Sequence, residues 1–252
     1  MQLHRSLIVI PARLASTRLP RKLLLRETGK TVIQHTYESA ARARLPAGVL
    51  VAADHEEIAA EVRRFGGQVV MTDPECASGT DRVAEVAAAR PEFEIFVNVQ
   101  GDEPEIEGDA IDLVVARLAA SPDAVMATLA TPIRDRDRWQ DPACVKVVLN
   151  DQGRALYFSR SPIPHPRVWD EKLLQENPPH FLQHIGIYAY RRDFLLRIAQ
   201  LPRSDLEQLE CLEQLRVLSA GYAIEVGIVA KAMRGIDTPN DYGAFVSRMR
   251  GG

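Results

Sequence analysis

Leu7-Ile-Val-Ile10, followed at once by Pro11-Ala-Arg-Leu-Ala-Ser-Thr-Arg-Leu-Pro-Arg-Lys22, decides the reading of this chain. A continuous apolar run closed by a proline is the pattern of a strand buried on both faces. Working outward, Val32, Ile33, Thr36, Tyr37 and Ala40 recur at helical spacing, and residues 49–53 form the next β-rich run. A helical stretch over 56–65 ends at Gly66-Gly67, and 69–71 reads as a third strand. A helix over 80–89 stops near Pro91, 95–99 reads as a fourth strand, and 109–120 as the helix after it. Strand followed by helix, repeated with short links, predicts βαβ units. The expected class is therefore α/β, a mainly parallel, doubly wound sheet flanked by helices.

The pattern changes after Thr131. Residues 145–149 and 155–159 flank Asn150-Asp-Gln-Gly153, which has the composition of a hairpin turn. Pro162, Pro164, Pro166, Pro178 and Pro179 make the next stretch a loop. Residues 185–190 read as a strand, 205–219 as one leucine-rich helix, and 223–229 as another strand. A closing helix over 238–249 has Thr238 as N-cap and Pro239 at its first position. These elements predict a smaller antiparallel substrate subdomain on the sheet. With no flexible linker and no repeat, one compact domain is expected, divided into parts 1–131, 132–230 and 231–252.

Composition narrows the function classes. The 252 residues carry 31 basic and 34 acidic side chains, a formal net charge of −3, with 46% hydrophobic residues. Those are ordinary globular values, and the slight acidity disfavours a protein that coats nucleic acid. Cys76, Cys144 and Cys211 lie far apart with no C-x-x-C pair, which suits a reducing compartment and no structural zinc. No apolar run is long enough for a membrane span or a signal-peptide core, so a soluble, cytoplasmic protein is expected.

In an open parallel sheet, ligands bind at the carboxyl ends of the strands. The loop after the first strand holds Arg13, Arg18, Arg21 and Lys22 with two hydroxyls and the small Ala12 and Ala15. It can surround a polyphosphate with backbone N–H groups and guanidinium forks, although it lacks the glycines of a Walker loop or a dinucleotide fingerprint. At the end of the fourth strand, Asn98-Val-Gln-Gly-Asp-Glu-Pro104 projects Asp102, a hard oxygen ligand. Facing a phosphate loop, a carboxylate needs a cation in between, and magnesium takes one or two carboxylates plus substrate phosphates. Asp237, before the closing helix, is the second candidate. It could equally complement the helix dipole. Glu207, Glu210 and Gln214 are expected on one face of the leucine-rich helix, with Glu213 beside Arg216. These residues point to phosphoryl or nucleotidyl transfer with a polar second site.

At these residues the chain resembles a known family. Ile10-Pro-Ala-Arg-Leu-Ala-Ser-Thr-Arg-Leu-Pro20, Ala53-Asp-His55, Ser78-Gly-Thr-Asp-Arg82 and Val97-Asn-Val-Gln-Gly-Asp-Glu-Pro104 are similar to blocks of the 3-deoxy-manno-octulosonate (Kdo) cytidylyltransferases. Val145-Lys-Val-Val-Leu149, Ala155-Leu-Tyr-Phe-Ser-Arg160, His184-Ile-Gly-Ile-Tyr188, Leu212-Glu-Gln-Leu-Arg216 and Asp237-Thr-Pro239 continue in the same order. Sialic acid cytidylyltransferases share the arginine loop but not the 97–104 and 158–160 blocks. The resemblance implies a nucleotide-diphospho-sugar transferase fold and the reaction of CTP with Kdo to give CMP-Kdo and diphosphate for lipopolysaccharide assembly. It implies Mg²⁺ on Asp102 and Asp237, catalysis by these two with Arg13 and Lys22, and a homodimer. It places Pro11, Ala12, Arg13, Ser16, Lys22, Ser78, Arg82 and Gln100 at the nucleotide. Arg160, His184, Tyr188, Glu213 and Gln214 would face the sugar acid, with Arg160 on its carboxylate. The chain departs from the family pattern at Arg21, usually Gly, at Leu23, usually Pro, and at Asp81, usually Glu. Alternatives are transfer to 8-amino-Kdo or a sialic acid, or an inactive nucleotide-binding module on the same fold.

Overall fold

A computed structural model describes residues 5–251. The first strand, β1 (Ser6–Ala12), is buried along its whole length. Its side chains alternate between two cores, as a period of two requires. Ile8 and Ile10 pack in one, Leu7 and Val9 in the other. The first half continues as α1 (Val32–Ala40), β2 (Val49–Ala53), α2 (Glu56–Arg64), β3 (Val69–Met71), α3 (Gly79–Ala89), β4 (Ile95–Asn98) and α4 (Gly108–Ala120). β1 pairs in parallel with β2 and β4, in register Ile8↔Val49 and Ile8↔Val97, and β2 pairs in parallel with β3. Ile33, Ile58, Val62, Ile111 and Leu118 close one face of this layer. Val83, Val86 and Phe194 close the other.

The second half comprises β5 (Ala124–Pro132), α5 (Arg136–Gln140), β6 (Lys146–Leu149), β7 (Ala155–Ser159), β8 (Leu182–Arg191), α6 (Arg192–Ile198), α7 (Asp205–Glu210), α8 (Gln214–Ser219), β9 (Ala223–Ile228) and α9 (Pro239–Gly251). One sheet runs through both halves in the order β3-β2-β1-β4-β8-β5-β9, with the β6–β7 hairpin attached to β8. β8 is antiparallel to both neighbours, and Tyr188 lies opposite both Asn98 and Thr128. This inserted strand brings groups from residues 182–191 to the end of β4. The proline-rich segment sits over a small separate core of Ile133, Trp139, Cys144, Leu174 and Phe181.

Two expectations are corrected. The stretch 205–219 is not one helix, because Cys211 adopts a left-handed conformation (φ 53°) and separates α7 from α8. Glu207, Glu210 and Gln214 therefore do not share a face. Glu207 turns inward to pair with Arg216, whose Nε donates to it at 2.8 Å. The strand β5 and the helices α5 and α6 had no counterpart in the sequence reading. Thr238 does cap α9, as expected, since the Asp241 N–H donates to its hydroxyl at 3.2 Å.

Candidate active site

The ends of β1 and β4 come together because of Gly101. A Cβ there would lie 3.2 Å from the Pro11 carbonyl oxygen and 3.3 Å from Leu23, so glycine lets the turn after β4 close on β1 without pushing these neighbours aside. Between them lies a cavity of about 290 Å³ lined by Pro11, Arg13, Ala15, Ser16, Lys22, Leu23, Gly79, Gln100, Gly101 and Asp102. Leu14 N–H donates to Asp54 at 2.9 Å, which ties the loop to the end of β2. Arg13 Nη2 donates to the Cys76 carbonyl at 2.6 Å. Gln100 Nε2 donates to Asn98 at 3.2 Å. Arg21 takes the left-handed conformation (φ 54°), which accounts for glycine being usual there, and it pairs with Glu57.

Lys22 is the centre of the site. Its ammonium contacts Asp102 closely and lies 3.5 Å from Asp237 Oδ1. Arg18 Nη2 donates to the same Asp237 oxygen at 2.8 Å. Asp237 arrives here because the Ile236 N–H donates to the Asp102 carbonyl at 2.8 Å. Asp241 rather than Asp237 accepts from the Thr238 N–H, at 2.8 Å. Two carboxylates far apart in the sequence thus share one cation. Among the described residues there is no group of three or more His, Cys, Asp or Glu arranged for a metal. A divalent ion here would have two carboxylates, with phosphate and water supplying the rest. Next to them, burial together with the charges of Asp102 and Asp237 pushes the Glu103 carboxyl up to about 8. Its Oε2 is buried and has no partner among the described residues.

Ser78 and Arg82 lie behind this cavity. Ser78 caps α3 by accepting from the Asp81 N–H at 3.1 Å. Arg82 is fully buried and its Nη1 donates to the Asp73 carbonyl at 3.0 Å, holding the segment whose Cys76 carbonyl takes Arg13. Pro11 and Ala12 end β1, and Ser16 lies in the loop after it, on the cavity wall.

A second polar cluster sits on β8 and α8. His184 Nε2 is 2.9 Å from the Thr128 hydroxyl, and its ring packs edge-on to Phe158 at 4.9 Å. Burial lowers its pKa to about 3, so the imidazole is neutral. Tyr188 donates to Gln214 Oε1 at 3.4 Å. Burial, with Glu213 and Glu103 nearby, raises the Tyr188 hydroxyl above its usual range. Burial also raises Glu213, against the opposing pull of the neighbouring Thr80 hydroxyl. Gln214 Nε2 is buried and has no partner among the described residues. Arg160 is held by carbonyls, Nε on Glu210 at 2.8 Å and Nη1 on Pro142 at 3.1 Å. The sequence reading gave no role to Glu103 or Lys146, and it set Glu210 on a helix face shared with Glu207 and Gln214 that the structure does not form. An acid beside Asp102 reads as a turn residue, and nothing local signals the burial of Lys146.

A family model for cytidylyltransferases matches residues 7–226. A 3-deoxy-manno-octulosonate cytidylyltransferase of Rhodopirellula baltica is 52% identical over 97% of this chain and 98% of its own length. One of Syntrophotalea carbinolica is 49% identical over 96% and 98%. A solved structure of CMP:2-keto-3-deoxy-manno-octonic acid synthetase complexed with CTP superposes with a TM-score of 0.90 at 42% identity, covering 98% of this chain and 99% of that one. Full-length similarity at these levels, on a chain whose basic β1 loop meets two carboxylates at a strand end, places the protein in the 3-deoxy-manno-octulosonate cytidylyltransferase family.

Proposed function

We propose that the protein transfers CMP from CTP to the anomeric hydroxyl of Kdo, with a Mg²⁺ ion held by Asp102 and Asp237. The observation that carries this reading is the Lys22 ammonium between those two carboxylates, a stand-in cation beside the cavity at the ends of β1 and β4. The Kdo hydroxyl oxygen bonds to the α-phosphorus as the α–β bridging bond breaks, diphosphate leaves, and the hydroxyl proton is lost. The metal ion supplies charge neutralisation at the phosphates. Arg13 and Lys22 hold the triphosphate and stabilise charge growing on the diphosphate, which is where preorganised cations contribute most. Gln100 faces the nucleotide. Arg160 receives the sugar carboxylate, and His184, Tyr188, Glu213 and Gln214 face its hydroxyls. The unpartnered Gln214 amide supports that placement, since a buried donor without a partner is costly unless a ligand satisfies it.

The test is diphosphate release with CTP plus Kdo, 8-amino-Kdo or a sialic acid, each with and without Mg²⁺. Release only with Kdo and Mg²⁺ is expected. Release without metal removes the carboxylate-held ion, and a preference for another sugar acid reassigns the substrate. Arg160→Lys should raise the KM for the sugar acid more than that for CTP, because charge survives but the bidentate fork does not.

A further inference from the structure

We infer that Lys146 is a positioning residue for Arg160, and through it for the carboxylate of the sugar acid; this rests on the placement of Arg160 proposed above. Lys146 opens β6, opposite Ser159 of β7 and Gln183 of β8. It is fully buried, with 0% exposure, an environment lysine avoids unless its ammonium is provided for. Nζ donates to three carbonyls, those of Cys144 and Arg160 at 2.6 Å and of Asp141 at 3.0 Å. Burial draws the Lys146 pKa down from the usual lysine value. Three acceptors nevertheless match the three N–H donors of the protonated form and leave a neutral amine one short.

The cage joins two segments that chain connectivity leaves apart, the 141–144 turn and the end of β7. That turn also supplies the Pro142 carbonyl that takes Arg160 Nη1 at 3.1 Å. One ammonium therefore fixes the main chain of Arg160 relative to the carbonyl that aims its guanidinium. Glu210 completes the clamp from α7, accepting from the Arg160 N–H at 2.8 Å through its carboxylate and from Arg160 Nε through its carbonyl. Nη2 has no acceptor among the described residues, so the clamp leaves a planar edge for an incoming carboxylate. A buried ion is a poor device for stability alone, since an apolar side chain of similar volume often serves as well. Aiming an arginine gives this one a purpose.

The experiment is steady-state kinetics of Lys146→Met, varying CTP and Kdo in turn. The side chain is similar in length but carries no donors. The sugar-acid KM should rise about tenfold or more while the KM for CTP stays within about twofold, the signature of misplaced substrate binding at one subsite. Pro142→Gly, in an exposed turn, should shift the same constant in the same direction by less. In an Arg160→Lys background, Lys146→Met should add little, because both changes act on one contact. Equal rises in both KM values, or a full additive effect in that background, would overturn the proposal. If Lys146→Met does not fold, Pro142→Gly decides alone: a raised sugar-acid KM supports the clamp and an unchanged one refutes it. Should Arg160→Lys leave the sugar-acid KM untouched, the sugar-site reading itself fails and the proposal with it. An effective Arg160→Lys beside a silent Lys146→Met sinks only the proposal.

Discussion

Lys22→Met should have opposite effects on metal binding and on nucleotide binding. In the ligand-free protein the Lys22 ammonium, only 11% exposed, occupies the place between Asp102 and Asp237. A metal ion arriving without nucleotide must displace it. Coulomb's law at a separation of 3.5 Å and an effective dielectric near 20 gives about 5 kcal/mol for one such contact. Asp237 is 53% exposed and Asp102 28% exposed, so solvent screening reduces the net term to about 1–2 kcal/mol. At 1.4 kcal/mol per decade, Lys22→Met should bind Mn²⁺ about tenfold more tightly in the absence of nucleotide. The same variant should have a raised KM for CTP, because the triphosphate loses its ammonium. Electron paramagnetic resonance of free Mn²⁺, with calorimetry as a second method, reads the first effect, and steady-state kinetics the second. Unchanged or weaker Mn²⁺ binding by nucleotide-free Lys22→Met would refute the reasoning, since it would mean that the lysine does not hold the place of the ion.

Asp102→Asn should fold normally and lose about 10²-fold or more in turnover, and Asp237→Asn should follow it; circular dichroism and diphosphate release check both. Arg13→Ala should lower turnover and raise the KM for CTP at low and high ionic strength alike, whereas a merely solvated basic loop would show only a changed salt dependence. At Arg21, glycine should be tolerated within about 1 kcal/mol, since relief of the left-handed strain offsets the lost exposed pair with Glu57, while Arg21→Val should cost more than that in thermal unfolding. For His184, the folded pKa of about 3 lies below the ordinary 6.5, so the unfolded chain binds the extra proton between those values and stability falls as pH drops from 6.5 toward 3. Glu103, raised to about 8, slopes the other way between 4.5 and 8, so the His184 effect is read as the difference between the native protein and His184→Phe in denaturant titrations across pH. Light scattering tests the expected homodimer.

The parallel half of the fold was legible because period and burial agree there. Leu7 to Ile10 and Val49 to Ala53 are apolar without interruption, and each is followed by helix spacing and a glycine or proline stop. The β1 loop, Asp102 and Asp237 stood out for the same reason, as charged groups placed at strand ends. Ala124-Val-Met-Ala-Thr-Leu-Ala-Thr-Pro132 carried no such signal, being rich in alanine and threonine. It is a strand because β8 and β9 pair with it on either side. Nothing local marks the break between α7 and α8, since a cysteine at φ 53° looks like helix interior in sequence. Lys146 lay unremarked in the β-rich run 145–149, yet the fold buries it among three carbonyls. Arg18 and Asp237, 219 positions apart, meet only because the segment after β9 returns to the end of β4. Local periodicity records which face of an element is buried. Which distant charge stands opposite, and which carbonyls a lysine finds, is decided by strand order and packing, and those exist only once the chain has folded.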